Sequence, residues 1–168
     1  INLKIKYRES FRPFGPSVRA ENISDYFDID RESPYMLLVA DVNANKQLPM
    51  TKEENSYFGL KKLNIVRSEI PAVTHVDYSA RIQSVNKKTN PRFHEMLTRF
   101  NEKFGCAVIV NTSFNIRGEP IVCTPVDAYL CFMRTQMDYL IIGNYLLNKV
   151  EQKNIMNEGD WMSESKLD

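Results

Sequence analysis

The hydrophobic positions of the chain fall into short runs separated by polar segments, which predicts several strands. Residues 35–40 form a continuous apolar run, a pattern typical of a strand that is covered on both faces. The same kind of pattern predicts further strands at 72–76, 80–85, 106–110, 120–123 and 138–143. Residues 1–20 indicate a strand that leads into a rigid loop. Residues 43–69 are polar and poorly periodic, and we expect an excursion or mobile loop there.

A helix is predicted over residues 91–104. Asn90 can cap it, Pro91 suits its first position, and Gly105 suits the position just past its end. Spacings of four, three and four place one set of apolar side chains on a single face: Phe93, Leu97, Phe100 and Phe104. We expect His94 on this helix to be a surface residue.

A second helix is predicted to begin after Thr124, because Thr124 and Asp127 form a pattern like a capping box. The side chains that can face inward from it are Ala128, Cys131, Phe132 and Thr135. The alternation of strands and helices predicts a mixed α/β sheet. We expect one domain over 1–149 and a polar C-terminal tail over 150–168, frayed from residue 157.

The composition is that of an ordinary globular domain. A length of 168 residues suits one domain, and 43% hydrophobic with 26% charged residues excludes wholesale disorder. Lys plus Arg at 22 against Asp plus Glu at 21 leaves a formal charge of +1. This balance argues against a dedicated nucleic-acid binder. It still allows one local basic cluster that faces one anionic ligand.

Cysteine and histidine are too few for a disulfide framework or a metal centre. The three cysteines lack CxxC spacing and lie in apolar runs, and only two histidines are present. We therefore expect no metal bound by protein side chains. The longest apolar stretches are far below membrane-spanning length. The first residues lack an initiator Met and a signal-peptide pattern, so we expect an excised, soluble, cytoplasmic fragment.

The first segment suited to an anion is 6–17, which is basic and aromatic. Arg12 lies between Phe11 and Pro13, so its backbone is restricted and its guanidinium fork could be aimed at an oxyanion. The alternative is that Arg12 pairs with a carboxylate and covers a neighbouring aromatic ring. The sequence leaves both interpretations open.

The second segment is 75–83. In a strand, alternate side chains share one face, which here reads His75, Asp77, Ser79, Arg81 and Gln83. Such a polar face is either solvated or the wall of a ligand cleft. A strand spacing of two does not create the geometry of a Ser–His–Asp triad, so we discount a hydrolase.

The third segment is the loop 111–119, which follows a predicted buried strand. Its amides and hydroxyls, including those of Thr112, Ser113 and Asn115, could donate to phosphate or carbonyl oxygens, and Gly118 permits a turn. The alternative is a polar turn whose side chains satisfy one another. If the loop binds a ligand, removing the side chains of Ser113 and Asn115 should weaken binding and leave stability nearly unchanged.

Five segments together carry a family resemblance: 8–17, 71–77, 79–83, 111–122 and 124–128. The most specific is the block Asn-Thr-Ser-Phe-Asn at 111–115, followed by Gly-Glu-Pro-Ile-Val at 118–122. On these motifs the chain resembles, over residues 4–149, the C-terminal domain of NodU/CmcH-type O-carbamoyltransferases, which has a YrdC-like fold. The resemblance therefore implies a YrdC-like, twisted mixed β-sheet with flanking helices.

The resemblance also implies an activity. In the family, the YrdC-like domain activates carbamoyl phosphate with ATP to give carbamoyl adenylate, releasing phosphate and pyrophosphate. A separate N-terminal, ASKHA-like, metal-binding domain then passes the carbamoyl group to an acceptor hydroxyl. For this chain we expect ATP as co-substrate, with Mg²⁺ held mainly by phosphates and water. We expect no nucleic-acid and no membrane partner.

Carried over by motif, the catalytic positions are Lys6, Arg12, Arg81, Ser113 and Asn115. His75, Thr112, Arg8 and Arg117 are expected to be substrate-binding residues. We further expect Arg12 and Arg81 to converge on one anion. One departure is Tyr78, which stands where the family usually has Gly; another is Ser79, where Thr is common.

Two rival functions remain. The chain could be a YrdC-like nucleotide- or RNA-binding module without transferase chemistry, although a charge of +1 weighs against RNA. It could also be a structural remnant that only supports the missing domain.

Overall fold

The computed structural model describes residues 1–153. Its strands are Gly15–Arg19 (β1), Leu38–Asp41 (β2), Ser79–Val85 (β3), Val108–Asn111 (β4), Tyr139–Ile142 (β5) and Tyr145–Asn148 (β6). Its α-helices are Ile23–Tyr26 (α1), Lys52–Asn55 (α2), Leu60–Leu63 (α3), Pro91–Phe104 (α4) and Pro125–Arg134 (α5). A π-helical turn spans Asn2–Lys6, and 3₁₀ turns lie at Ala20–Asn22, Ala44–Lys46, Pro71–Val73 and Lys149–Glu151.

The chain divides into two compact units. The terminal unit combines Ile1–Arg12 with the described residues from Ser113 onward, and the central unit is Pro13–Thr112. In the central unit, four strands form one mixed sheet in the order β2-β3-β1-β4. Strand β1 runs parallel to β3 and antiparallel to β4, and β2 runs antiparallel to β3. The predicted mixed α/β fold is confirmed.

The core of the central unit lies on one face of this sheet. Val18 of β1, together with Ala80 and Ile82 of β3, is completely buried. These side chains share a face because alternate residues of a strand point the same way. Phe27 and Val42 pack in the same cluster at 1% exposure each. Burying one such aliphatic side chain stabilises the fold by about 1.5–3 kcal/mol.

Helix α4 has the predicted bounds. The Asn90 side chain accepts a hydrogen bond from the Phe93 amide, and Gly105 ends the helix with a left-handed φ of 68°. On the predicted apolar face Leu97 is fully buried, but Phe104, the last residue of the helix, is 61% exposed. The prediction that His94 is a surface residue is wrong.

His94 is buried because it has a partner from another element. Its Nε2 atom lies 2.9 Å from the Glu21 carboxylate, which comes just after β1. The contact with Glu21 satisfies a ring nitrogen that would otherwise be buried without a partner. The same carboxylate forms an ion pair with Arg19 at 3.7 Å. Helical spacing alone cannot reveal a partner 73 residues away in the chain.

In the terminal unit, helix α5 begins at the predicted capping box. The Thr124 side chain accepts from the Asp127 amide, and the Asp127 side chain accepts from the Thr124 amide. All four side chains predicted to face inward are buried: Ala128, Cys131, Phe132 and Thr135. At the other end, the Lys149 ammonium donates to the carbonyls of Phe132 and Thr135. Burial lowers the pKa of Lys149.

Several predicted strands differ in exposure. Residues 35–40 do contribute β2, but β2 is an edge strand with Val39 at 60% exposure, so the prediction of cover on both faces is wrong. Strand β5 exists, yet only Leu140 in it is buried. A continuous apolar run therefore marked strands here without marking burial.

Other strand predictions fail outright. The strand expected within residues 1–20 begins only at Gly15, after a π-helical turn and a loop. A 3₁₀ turn, Pro71–Val73, replaces the strand predicted at 72–76, and 120–123 is not a strand. The stretch 43–69 contains short helices. The prediction for 157–168 lies outside the described residues. Within 1–153, no helix has the length and apolarity needed to cross a membrane.

Candidate anion-binding site

The π-helical turn Asn2–Lys6 carries the first candidate residue, Lys6. The turn ends at Tyr7, whose φ of 48° is left-handed, and this reversal leaves the Lys6 side chain buried at 4% exposure. The Tyr7 hydroxyl donates to the Arg134 carbonyl at 2.9 Å, which ties the turn to the end of α5. Burial, followed by the charge of Arg8, lowers the pKa of Lys6.

The Lys6 ammonium is held by the predicted ligand loop. It lies 2.8 Å from the carbonyl and 3.2 Å from the hydroxyl of Ser113. It also lies 2.7 Å from both the carbonyl and the side-chain oxygen of Asn115. An ammonium has three protons to donate, so these four oxygens occupy it fully. In this structure Lys6 supports the loop.

The loop itself is closed by its own side chains. The Ser113 hydroxyl donates to the Asn115 side-chain oxygen at 2.6 Å, and the Asn115 amide donates to the Glu119 carbonyl at 2.8 Å. Ile116 anchors the loop at 2% exposure, and Gly118 turns it with a φ of 81°. The interpretation of a self-satisfied turn thus describes part of the loop. Because Asn115 also satisfies Lys6, its removal should affect stability, contrary to the expectation from sequence.

Three arginines gather around one carboxylate beside this loop. Glu9 lies 3.2 Å from Nε of Arg12 and 3.5 Å from Nη1 of Arg117. A bond from its own amide, together with the charges of these arginines, lowers the pKa of the Glu9 carboxyl. Burial, followed by the charge of Arg12, lowers the pKa of Arg8. The cluster therefore holds an excess of positive charge.

Asn2 organises this cluster, and no pattern in the sequence indicated that role. Its buried side chain donates to the carbonyls of Ser10 and Arg12, at 3.1 and 2.7 Å, and accepts from Nε of Arg8 at 2.7 Å. One amide thereby fixes the backbone that carries Arg12 and the side-chain orientation of Arg8. We call the side chains of Lys6, Arg8, Arg12 and Arg117 the cationic cluster.

The remaining candidates lie in the central unit. Arg81 is exposed on β3, opposite Val39 of β2. On the same face, the side-chain oxygen of Gln83 accepts from the Ser17 hydroxyl and from the Asn111 amide, each at 2.6 Å. Ser17 is fully buried. The predicted polar face is therefore present from Ser79 to Gln83, and it extends to Ser17 on β1 and Asn111 on β4.

His75 and Asp77 do not belong to that face, because β3 begins only at Ser79. They form a turn in which the Asp77 carboxylate accepts from the amide and hydroxyl of Ser79, at 3.0 and 2.7 Å. These two bonds lower the pKa of Asp77. Tyr78 has a left-handed φ of 66°, which explains why a Gly suits this position.

The structure thus brings together Lys6, Ser113 and Asn115, and beside them Arg8, Arg12 and Arg117. Arg81, His75 and the exposed Thr112 lie in the other unit. The convergence of Arg12 and Arg81 on one anion stays a prediction. Among residues 1–153, no group of three or more His, Cys, Asp or Glu side chains is placed to hold a metal ion.

Comparison with known proteins gives three informative relatives. A Synechocystis sp. protein of uncharacterized function is 58% identical over 168 residues, which is 100% of this chain and 27% of that protein. Nodulation protein NolNO of Sinorhizobium fredii is 35% identical over 89% of this chain and 19% of its own length. The 3'-hydroxymethylcephem-O-carbamoyltransferase of Amycolatopsis lactamdurans is 31% identical over 88% of this chain and 24% of its own length.

The chain therefore spans about a quarter or less of the length of these relatives. The family described as carbamoyltransferase C-terminus matches residues 1–149, which is nearly the whole described chain. This range contains the π-helical turn, the cationic cluster, the loop that holds Lys6 and the polar face of β3. The chain belongs to the carbamoyltransferase C-terminus family.

Proposed function

We propose that the protein containing this chain is an O-carbamoyltransferase, and that this chain forms its carbamoyl-adenylate. In the proposed reaction, carbamoyl phosphate, ATP and water give carbamoyl adenylate, phosphate and pyrophosphate. An ASKHA-like domain elsewhere in the protein then transfers the carbamoyl group to an acceptor hydroxyl. The proposed location is the cytoplasm. The family membership supports carbamoyl transfer, and the cationic cluster supports the choice of anionic substrates.

The observation that most supports this proposal is the surplus of positive charge around Glu9. Arg8 and Arg12 are close enough for the charge of Arg12 to lower the pKa of Arg8, so the two guanidinium groups repel each other. An anion bound between them relieves that repulsion and gains bidentate, charge-assisted hydrogen bonds. Carbamoyl phosphate and ATP both present phosphate oxygens of this kind. Phosphoryl chemistry depends mostly on such positioning and charge stabilisation.

The residues take different roles in this proposal. Arg12, whose side chain is 53% exposed, and Arg117, at 45%, are accessible enough to reach a ligand. Lys6 is a positioning residue, because its ammonium is engaged by Ser113 and Asn115. We propose that Arg81 contributes a further guanidinium to phosphate. Mg²⁺ is proposed to arrive with ATP, coordinated mainly by phosphate oxygens and water.

The test is carbamoyl-phosphate-dependent release of pyrophosphate by the full-length protein. Arg12→Ala should lower kcat/KM at least about tenfold, because a hydrogen bond to a charged group contributes roughly 1.5–3 kcal/mol. Arg99→Ala is the matched control: Arg99 also forms an exposed ion pair with a glutamate, at 2.7 Å from Glu95. Its rate should equal that of the wild type.

Wild-type kinetics in the Arg12→Ala protein would remove the cationic cluster from the reaction. If the protein binds ATP but releases no pyrophosphate when carbamoyl phosphate is added, the nucleotide-binding alternative replaces the proposed function. Melting temperatures measured in parallel separate a kinetic loss from unfolding. Because Arg12 is largely exposed, its removal should change the melting temperature little.

A further inference from the structure

The outer face of the β5–β6 hairpin is uncharged and mostly apolar, with Asn148 opposite Tyr139 at one end. Neither of its four-residue strands contains a charged side chain. The register places Ile141 directly opposite Leu146, and Tyr139 lies two residues away on the same face. Ile141, Leu146 and Tyr139 are 72%, 66% and 60% exposed. On the opposite face Leu140 is buried, and Tyr145, next to the turn, is 77% exposed.

This surface is unusual for a free sheet. A two-stranded hairpin is marginal in water, and exposed strand edges normally carry charges or proline that prevent pairing with other chains. Strands β5 and β6 contain neither a charged residue nor a proline. Across the described part of the terminal unit, more large hydrophobic side chains are exposed than are buried. A contiguous apolar patch of this kind marks an interaction surface.

We propose that the outer face of the hairpin docks on the remainder of the longer polypeptide. The relatives are about four times the length of this chain or more, so most of each lies outside the matched region. A stable dimer needs roughly 800 Å² from each partner, more than three side chains supply. A tethered partner needs far less, because the link gives it a high effective concentration. The absence of charge on the face fits an apolar partner surface.

The first test is hydroxyl-radical footprinting of the full-length protein, with Tyr139 compared to Tyr35. In the chain by itself the two side chains are 60% and 82% exposed, so similar modification rates are expected from this structure alone. Docking should make Tyr139 react at least about fivefold more slowly than Tyr35, as expected of a side chain inside a desolvated interface. Similar rates for the two tyrosines in the full-length protein would overturn the proposal.

The second test is the double substitution Ile141→Lys with Leu146→Glu in the full-length protein. The opposite charges face each other across the strands, which preserves the hairpin while removing its apolar surface. Tyr139 should regain a rate close to that of Tyr35. Phe58→Lys is the control, since Phe58 is 93% exposed in the central unit. It should leave the protection of Tyr139 unchanged.

Two results would refute the choice of occupant. If the protection of Tyr139 disappears on dilution, together with a fall in mass measured by light scattering, a second copy covers the face. If deletion of residues 154–168 from the full-length protein abolishes the protection of Tyr139, these residues cover the outer face of the hairpin. Protection that persists in both experiments supports the rest of the polypeptide. The wild-type footprint decides the question even if the double variant fails to fold, and it does not depend on the proposed reaction.

Discussion

Replacing Lys6 by methionine removes the ammonium that holds residues 113–119 of the loop while keeping a long side chain in the same place. The ammonium bonds to the carbonyls of Ser113 and Asn115 and to both of their side-chain oxygens. In the Lys6→Met protein these acceptors lose their donor. We expect the loop to loosen and the terminal unit to lose stability.

The magnitude follows from the number of bonds. Each hydrogen bond from a charged donor contributes about 1.5–3 kcal/mol net, and Lys6 has three protons to share. Part of this gain is offset by the cost of burying the ammonium, which also lowers the pKa of Lys6. Water can replace some of the lost donors, since Ser113 is exposed. The net loss should be about 2–4 kcal/mol, or roughly 5–15 °C in melting temperature.

The assay combines thermal unfolding with hydrogen exchange of the amides from Ser113 to Glu119. Lys4→Met is the control, because Lys4 lies in the same π-helical turn and its side chain is exposed. Lys4→Met should leave both measurements unchanged. If Lys6→Met has the melting temperature and loop exchange of Lys4→Met and loses only anion binding, the positioning role is refuted. Lys6 would then be a direct ligand of the anion.

The other predictions concern single residues around the two polar regions. Glu9→Gln should tighten binding of inorganic pyrophosphate about threefold by calorimetry, because Glu9 competes for the arginines; Glu95→Gln should not, and weaker binding would contradict this. Asp77→Ala should lower the free energy of unfolding by about 1 kcal/mol through the lost bonds to Ser79. Those bonds lower the pKa of Asp77, so its contribution to stability is present above its unfolded-state pKa and is lost as pH falls through the folded-state pKa. In Asp77→Asn, the free energy of unfolding measured in urea should therefore fall less steeply at acidic pH than in the wild type. Tyr78→Gly should be more stable than Tyr78→Ala by about 1 kcal/mol in urea, because only Gly adopts its φ of 66° without strain; equal stabilities would contradict the strain.

The candidate site shows where sequence reasoning succeeds and where it stops. The family motifs assigned Lys6, Ser113 and Asn115 to one site, and the structure places these residues in direct contact. The sequence did not indicate that the lysine would be occupied by the loop. Asn2 escaped notice altogether, because one buried amide in a turn has no pattern that distinguishes it from a surface residue.

The sequence by itself determined the features that depend on neighbours a few residues apart. Helix α4 has its predicted bounds and helix α5 begins where predicted, because the capping residues act on backbone groups within four residues: Asn90, Gly105, Thr124 and Asp127. Strand β3 follows from its own alternation of apolar and polar side chains. Such interactions have almost the same energy in any fold, and a reader of the sequence can therefore find them.

The tertiary structure alone decided which of these elements are covered and which charges meet. The apolar run of β2 is exposed because the strand order puts it at an edge of the sheet. His94 is buried because Glu21 reaches it, and Lys6 is buried because a loop 107 residues away supplies its acceptors. Burial and ion pairing depend on contacts between distant segments, and their energies exist only once the chain has brought those segments together.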